Sequence, residues 1–440
     1  MMKYKEHIKS GLLVLLILGS LVLTWSVWTY QPQFIEAPNT EYVQSVEIGE
    51  QLPLSELVQP VQAMYHENGE VNGTTSRDQV EALFASIRKG QLGEVKPVLS
   101  EDFINNGEIL EGRTEFVFPE SLPLSLLPQL IPAEGQVSET GTFDRLVVDI
   151  SQPSTRVYFV SNDNDQVYQA ALREFDRSNY ISLVDSTLKS GEAYFRYEPN
   201  AGSLIYMPVD IRSVPKLTYS TMHLSAEKFK DALFSNPSYV KKDNTSSSEE
   251  SYTDGTRLLR VYKNNQQLSY INPAQTEYDQ LSGGDLISRS YDFINDHAGW
   301  TDTYRLYHYS ISEQTVRYQL YIGQHPVFHT YRSYGYPAIY ASFKNGEIHE
   351  YLRPLFRLRF EFDRTMIDLA SGQTIVDALE SAPDIDPSMV QDVKVGYEMA
   401  RQPNTNPIIL SFQPVWYVKY NDSWQKVSQM TEGGDSVGLE

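Results

Sequence analysis

Two histidines four residues apart, His325 and His329, are the nearest this chain comes to a metal-ligating spacing. Pro326 keeps the pair off a helix, and no third ligand stands nearby, so they are expected as histidines of a strand in a hairpin. Asn162-Asp163-Asn164-Asp165 opens like a calcium loop but lacks that motif's glycine and distal glutamate. It reads as a polar loop ending at Asp165, the expected cap of a helix with Tyr168, Ala171, Leu172 and Phe175 on one face. Asp254-Gly255-Thr256 has the tripeptide of an aspartic protease, but in one copy and ahead of a Leu-Leu-Arg-Val strand, where a turn is expected. P-loop, HExxH and CxxC patterns are absent, the chain has no cysteine, and no G-x-S-x-G stands as an elbow between a strand and a helix. No catalytic residue, metal ligand or cofactor is indicated, and convergent carboxylates assembled by the fold are the catalytic alternative.

The elements that would position any site begin with Gly11 to Trp28, GLLVLLILGSLVLTWSVW, 18 residues without a charge. At about 1.5 Å per residue this helix is roughly 27 Å long, enough to cross a bilayer core of about 30 Å. Lys3, Lys5 and Lys9 against Glu6 place the short N-terminus in the cytoplasm and the rest outside. A cleaved signal peptide fits poorly, because the run exceeds the usual ~7–15 residues and bulky Trp-Thr-Tyr-Gln-Pro stands where the cut would fall. Gly19, Ser20 and Thr24 form a small-residue strip, which with Trp25 and Trp28 is the expected contact surface for a neighbouring helix in the membrane.

Residues 1–29 carry three Lys and one Glu out of a total charge of −21, which leaves −23 on the remainder. A surface that acidic disfavours nucleic acid and phospholipid anions as ligands. Thirty tyrosines, with Val, Ile and Thr, point to a strand-rich α+β fold of antiparallel sheets with a few packed helices, and the 411 residues after position 29 suit two to four domains. The expected organisation is a cytoplasmic N-terminus at 1–10, an anchor at 11–29, an N-terminal domain with stalk at 30–200, a central domain at 201–280, a C-terminal domain at 281–426 and a flexible tail at 427–440. Helices are expected after Ser76, Ser225, near Asp285 and after Thr374. The polar run KKDNTSSSEES is expected as an insert, and the leucines among Pro119, Pro123, Pro128 and Pro132 as a cover for the first sheet or, alternatively, a docking surface.

SLVLTWSVWTYQPQF at 20–34, YDFINDHAGWTDTYRLYHY at 291–309, TVRYQLYIGQHPVF at 315–328 and PVWYVKYNDSW at 414–424 together resemble the YycH (WalH) family. That resemblance implies a membrane-anchored, non-catalytic accessory protein of the WalK/WalR two-component system of low-GC Gram-positive bacteria. It further implies a three-domain extracytoplasmic part whose C-terminal portion is similar to YycI, and a complex with YycI and the sensor histidine kinase WalK (YycG) in which transmembrane helices touch. The family carries no catalytic motif to transfer. From other classes, an anchored wall hydrolase predicts a deep cleft with two convergent carboxylates or a His-centred cluster, an envelope ligand-binding module predicts a large apolar pocket lined by tyrosines, and a regulator predicts a flat, acidic, pocket-poor body.

Overall fold

The computed structural model describes residues 13, 15–21, 23–25, 47–98, 110–135, 137–151, 153–161, 166–200, 203–273, 280–329, 335–402, 405 and 408–431. The chain divides into two compact units, Met1–Gln44 and Ser45–Glu440. In the first, residues 13, 15–21 and 23–25 are helical, with Leu13, Leu15, Leu16, Ile17, Leu18, Leu21, Leu23 and Trp25 all exposed. Among the described residues no helix is long and apolar enough to cross a membrane, and both ends of the expected span lie outside them.

The second unit is α+β and built on two sheets. The first has ten strands, ordered from Ser203–Pro208 through Glu192–Asn200, Glu70–Thr74, Gln62–Glu67, Thr114–Pro123, Thr142–Asp149 and Arg156–Ser161 to Gln166–Arg173, with Gln91–Leu92 and Lys96–Val98 at its far end. Helix Arg77–Arg88 buries Val80, Leu83, Phe84 and Ile87, the i, i+3, i+4, i+7 face that its sequence predicts. Its capping differs from the S-x-x-Q expectation: Thr74 rather than Ser76 bonds Gln79, and Ser76 donates its amide to the Thr74 hydroxyl.

The second sheet has fourteen strands and begins with Arg212–His223. Helices Ala226–Leu233, Gly283–Asp296 and Gly372–Ser381 lie near the expected starts; Ser282 caps the second, and the third is capped by Ser371, which accepts from the amide of Thr374, so Thr374 stands inside the helix and is not its cap. Strand Gln267–Ile271 pairs with Glu347–Pro354, so hydrogen bonds cross the position 280 at which separate domains were expected. Helix Val427–Thr431, with Val427 buried, occupies the start of the expected flexible tail.

Three expectations are corrected. Gln166–Arg173 is a strand and not a helix: it pairs with Arg156–Ser161, and Val167, Ala170 and Leu172 are buried. The polar insert is a hairpin of Lys241–Ser246 and Glu249–Thr253, stitched by Lys242–Glu250 at 3.3 Å and Lys263–Glu250 at 2.7 Å. Pro119 lies within strand Thr114–Pro123, where the register shifts between Val117 and Leu122, the irregularity that lets a strand hold proline.

Leu122, Leu126, Leu127 and Leu130 are at most 4 % exposed, so the leucine-proline stretch is core cover and not a docking surface. It also forms one of two seams between the sheets. Against it lies helix Gly283–Asp296, with Gln129 Nε2 donating to Ser288 Oγ at 2.9 Å; a Cβ at Gly283 would stand 3.0 Å from Pro123. The other seam sets the 192–208 hairpin against residues 387–401, where Asn200 Nδ2 donates to the Val390 carbonyl at 2.7 Å.

Candidate functional site

Between the seams lies a cleft of about 2000 Å³ with one wall from each sheet. From the first sheet come Arg145, Tyr194, Tyr206 and Glu120; from the second come Tyr307, Arg317, Tyr321, Gln324, His325, His329, Lys394 and Trp424. A body without pockets is therefore not what this sequence folds into. The strands explain the lining: each wall is the sheet face turned away from the main core, so period-2 alternation delivers tyrosines and charges to it.

On the first wall, Glu115 is 1 % exposed and sits at the centre of a cluster from four strands. Its Oε1 accepts from Arg145 Nη1 at 2.7 Å, and its Oε2 accepts from Tyr206 Oη at 2.5 Å and from His66 Nε2 at 3.0 Å. Burial alone would push this carboxyl up, but the Arg145 guanidinium, with His66 and Tyr206, holds it well below the usual carboxylate range. Burial and the Glu115 charge push the Tyr206 phenol well above its ordinary value, so Tyr206 stays a neutral donor. Arg145 Nη2 also donates to the Leu204 carbonyl, tying the cluster to the outer hairpin.

The second wall holds a buried cation that pairs with no carboxylate among the described residues. Arg305, 1 % exposed, donates through Nη1 to Gln324 Oε1 and lies 5.1 Å from the centre of the Tyr321 ring. Among the described residues its Nε and Nη2, with Gln324 Nε2 and Tyr307 Oη, have no hydrogen-bond partner. Burial pulls its pKa down to about 10, which leaves it charged at neutral pH. Around it Tyr307, Tyr321, Phe328, Tyr417 and Trp424 form a small aromatic core of their own.

His325 and His329 lie on strand His325–His329, and both line the cleft, as the one-face argument requires. His325 Nδ1 donates to the Val395 carbonyl at 3.2 Å, and burial, aided by Arg212, pulls its pKa down to about 4. His329 stands edge-on to Tyr336. Among the described residues no three His, Cys, Asp or Glu side chains converge as a metal site. Asp254-Gly255-Thr256 is a turn: Asp254 Oδ1 accepts from the amides of Thr256 and Arg257 at 2.9 and 2.8 Å, and Gly255 has φ +98°. Asn162 to Asp165 lie outside the described residues.

Of the residues expected to meet a neighbouring helix, a Cβ at Gly19 would touch nothing within 4 Å. Thr24 Oγ1 donates to the Ser20 carbonyl at 2.8 Å, so its proton is used within its own helix and its lone pairs remain as acceptors. Trp25 is 74 % exposed, and Trp28 lies outside the described residues. Sequence reasoning missed Glu115, Arg145 and Arg305. For Glu115 and Arg305 the signal was a single charge inside an otherwise apolar strand run, Thr-Glu-Phe-Val-Phe and Tyr-Arg-Leu-Tyr, which demands a buried partner, whereas Arg145 stands beside Asp144.

Residues 6–190 match the family model described as "YycH protein, N-terminal domain", and residues 203–434 match "YycH protein, C-terminal domain". The chain is 22% identical over 456 residues to the "Two-component system WalR/WalK regulatory protein YycH" of Bacillus subtilis (strain 168), covering 99% of this chain and 100% of that one. The crystal structure of YycH from Bacillus subtilis superposes with a TM-score of 0.74 at 20% identity, over 87% of this chain and 99% of that chain, which shows a shared fold.

Proposed function

Since the chain belongs to the YycH family, we propose that it is a non-catalytic regulator of a WalR/WalK-type two-component system. In this reading it is held in the cell membrane by one N-terminal helix, with its N-terminus cytoplasmic and its bulk outside, and acts on the sensor kinase WalK (YycG) together with YycI. The observation that carries the reading is the end-to-end match to a relative named as a WalR/WalK regulatory protein, 99% of this chain against 100% of that one.

A regulator whose bulk lies outside the cell influences a cytoplasmic kinase by binding one conformation of it more tightly than another, in or outside the membrane. A bias of about 1–3 kcal/mol suffices, and a few interhelical contacts supply that order of energy. Gly19 offers the open backbone for close approach, while Ser20 and Thr24 offer acceptors. A second reading, an envelope ligand held between the sheets, draws on the roughly 2000 Å³ cleft and its tyrosines.

The test exchanges residues 1–29 for an unrelated anchor and, separately, installs Leu at Ser20 and Thr24. Loss of YycI and kinase co-purification with a changed expression of WalR-dependent genes is the expected result. Unchanged co-purification and expression in both variants would leave the membrane contacts without a role, and a purified chain that degrades a wall polymer would sink the non-catalytic reading.

A further inference from the structure

Phe356–Leu369 is the last strand of the fourteen-stranded sheet. It pairs antiparallel with Arg212–His223 on one side and, among the described residues, with nothing on the other. Soluble proteins blunt such an edge with short strands, lysine or proline. This one is 14 residues long, has neither lysine nor proline, and leaves Phe360, Phe362 and Met366 at 60, 55 and 55 % exposure.

Its charge order is the informative feature. Arg357-Leu358-Arg359-Phe360-Glu361-Phe362-Asp363 runs basic, apolar, basic, apolar, acidic, apolar, acidic. Turned end for end about Phe360, the same strand sets Arg357 against Asp363, Leu358 against Phe362, Arg359 against Glu361 and Phe360 against itself. Within the chain Arg357, Arg359 and Asp363 have no salt-bridge partner among the described residues, although Arg359 lies 4.7 Å from the centre of the Phe360 ring. Glu361 is already held by Arg364 at 2.6 Å. A self-complementary edge is what an isologous two-fold contact requires.

We propose that two copies of this chain join edge to edge through antiparallel strands spanning 356–364, with the two-fold axis at Phe360. Register shifts against the inner strand between Thr218 and Thr221 fall opposite this stretch and add twist, which confines the pairing to a short segment. A contact of that size gives a weak dimer, in the micromolar range.

The chain has no cysteine, so one introduced thiol reports on one position. Facing residues of an antiparallel pair have Cα atoms about 4.5–5.5 Å apart, within disulfide reach. Under mild oxidation the full-length F360C chain, in detergent, is expected to form a covalent dimer, while Y239C, at the 75 % exposed Tyr239, is not. R357D and D363R are each expected to weaken self-association about tenfold in sedimentation velocity. Mixing the two variants restores it, because each supplies the charge that the other now needs. That rescue separates a pairing defect from misfolding. Absence of the F360C cross-link, or dimerisation indifferent to both reversals, would overturn the proposal, the second result assigning the dimer to another surface.

Discussion

Replacing Arg145 by methionine removes the cation that keeps Glu115 ionised inside the first wall. Both side chains are nearly inaccessible, at 6% and 2% exposure. Taking one partner from a buried pair leaves an uncompensated charge and costs about 3–5 kcal/mol, several times an exposed ion pair. The sign with pH follows from the two proton affinities. In the native protein the Glu115 carboxyl is held below its ordinary 4.5, so its stabilisation is present above that pH and is lost as pH falls through the depressed value. In R145M the burial effect, no longer opposed by the guanidinium, raises the carboxyl instead. Its protonated form then favours folding, and stability is lost as pH rises from about 4.5 toward the raised value. The gap between the native chain and R145M is therefore expected to be wide at pH 7.5 and to narrow toward pH 5. Urea unfolding followed by tryptophan fluorescence at the two pH values measures it. R145M/E115Q, which removes the orphaned charge as well, should recover a large part of the loss. A cost under about 1 kcal/mol at pH 7.5, or a gap that does not change with pH, would refute the reading of this cluster as a buried ion pair.

Arg305 predicts the opposite behaviour: it has no carboxylate to abandon, so R305M is expected to be neutral or stabilising by about 1–4 kcal/mol in the same urea assay. Asp302 accepts from the Leu358 amide at 2.9 Å through Oδ1, leaves Oδ2 without a partner, and is raised by burial to about 7. Its protonated form is the folded one, so native stability should decline as pH rises from about 4 to 7. D302N should remove that decline and raise Tm at pH 8 relative to the native chain, which a thermal scan at pH 5 and 8 would settle.

Elements whose burial follows one period were legible in the sequence. Val80, Leu83, Phe84 and Ile87 announced helix Arg77–Arg88, and all four are buried. Segments that satisfy two templates were not. Tyr168, Ala171, Leu172 and Phe175 fit a helical face, yet a segment this short has little helical stability of its own, and the ladder offered by Arg156–Ser161 decides the outcome. The hairpin at 241–253 was hidden for another reason: its strands are held by cross-strand charges and backbone bonds, which leave no apolar alternation to read.

The cleft was illegible because its parts are remote in the chain. Glu115 meets Arg145 across 30 residues, His66 across 49 and Tyr206 across 91, and no spacing rule connects them. What sequence could have supplied was the demand: a carboxylate inside a strand buried on both faces must find a cation, and Arg145, next to Asp144 in Phe-Asp-Arg-Leu-Val, was a candidate of the right sign. The edge strand reverses that relation. Its charge order from Arg357 to Asp363 stands in seven consecutive residues, but alternation alone gave it the same meaning as any half-solvated strand. Placed at the end of a sheet with one side open, the same order selects a mate that runs the other way with basic and acidic halves exchanged, and a second copy of the strand meets that requirement.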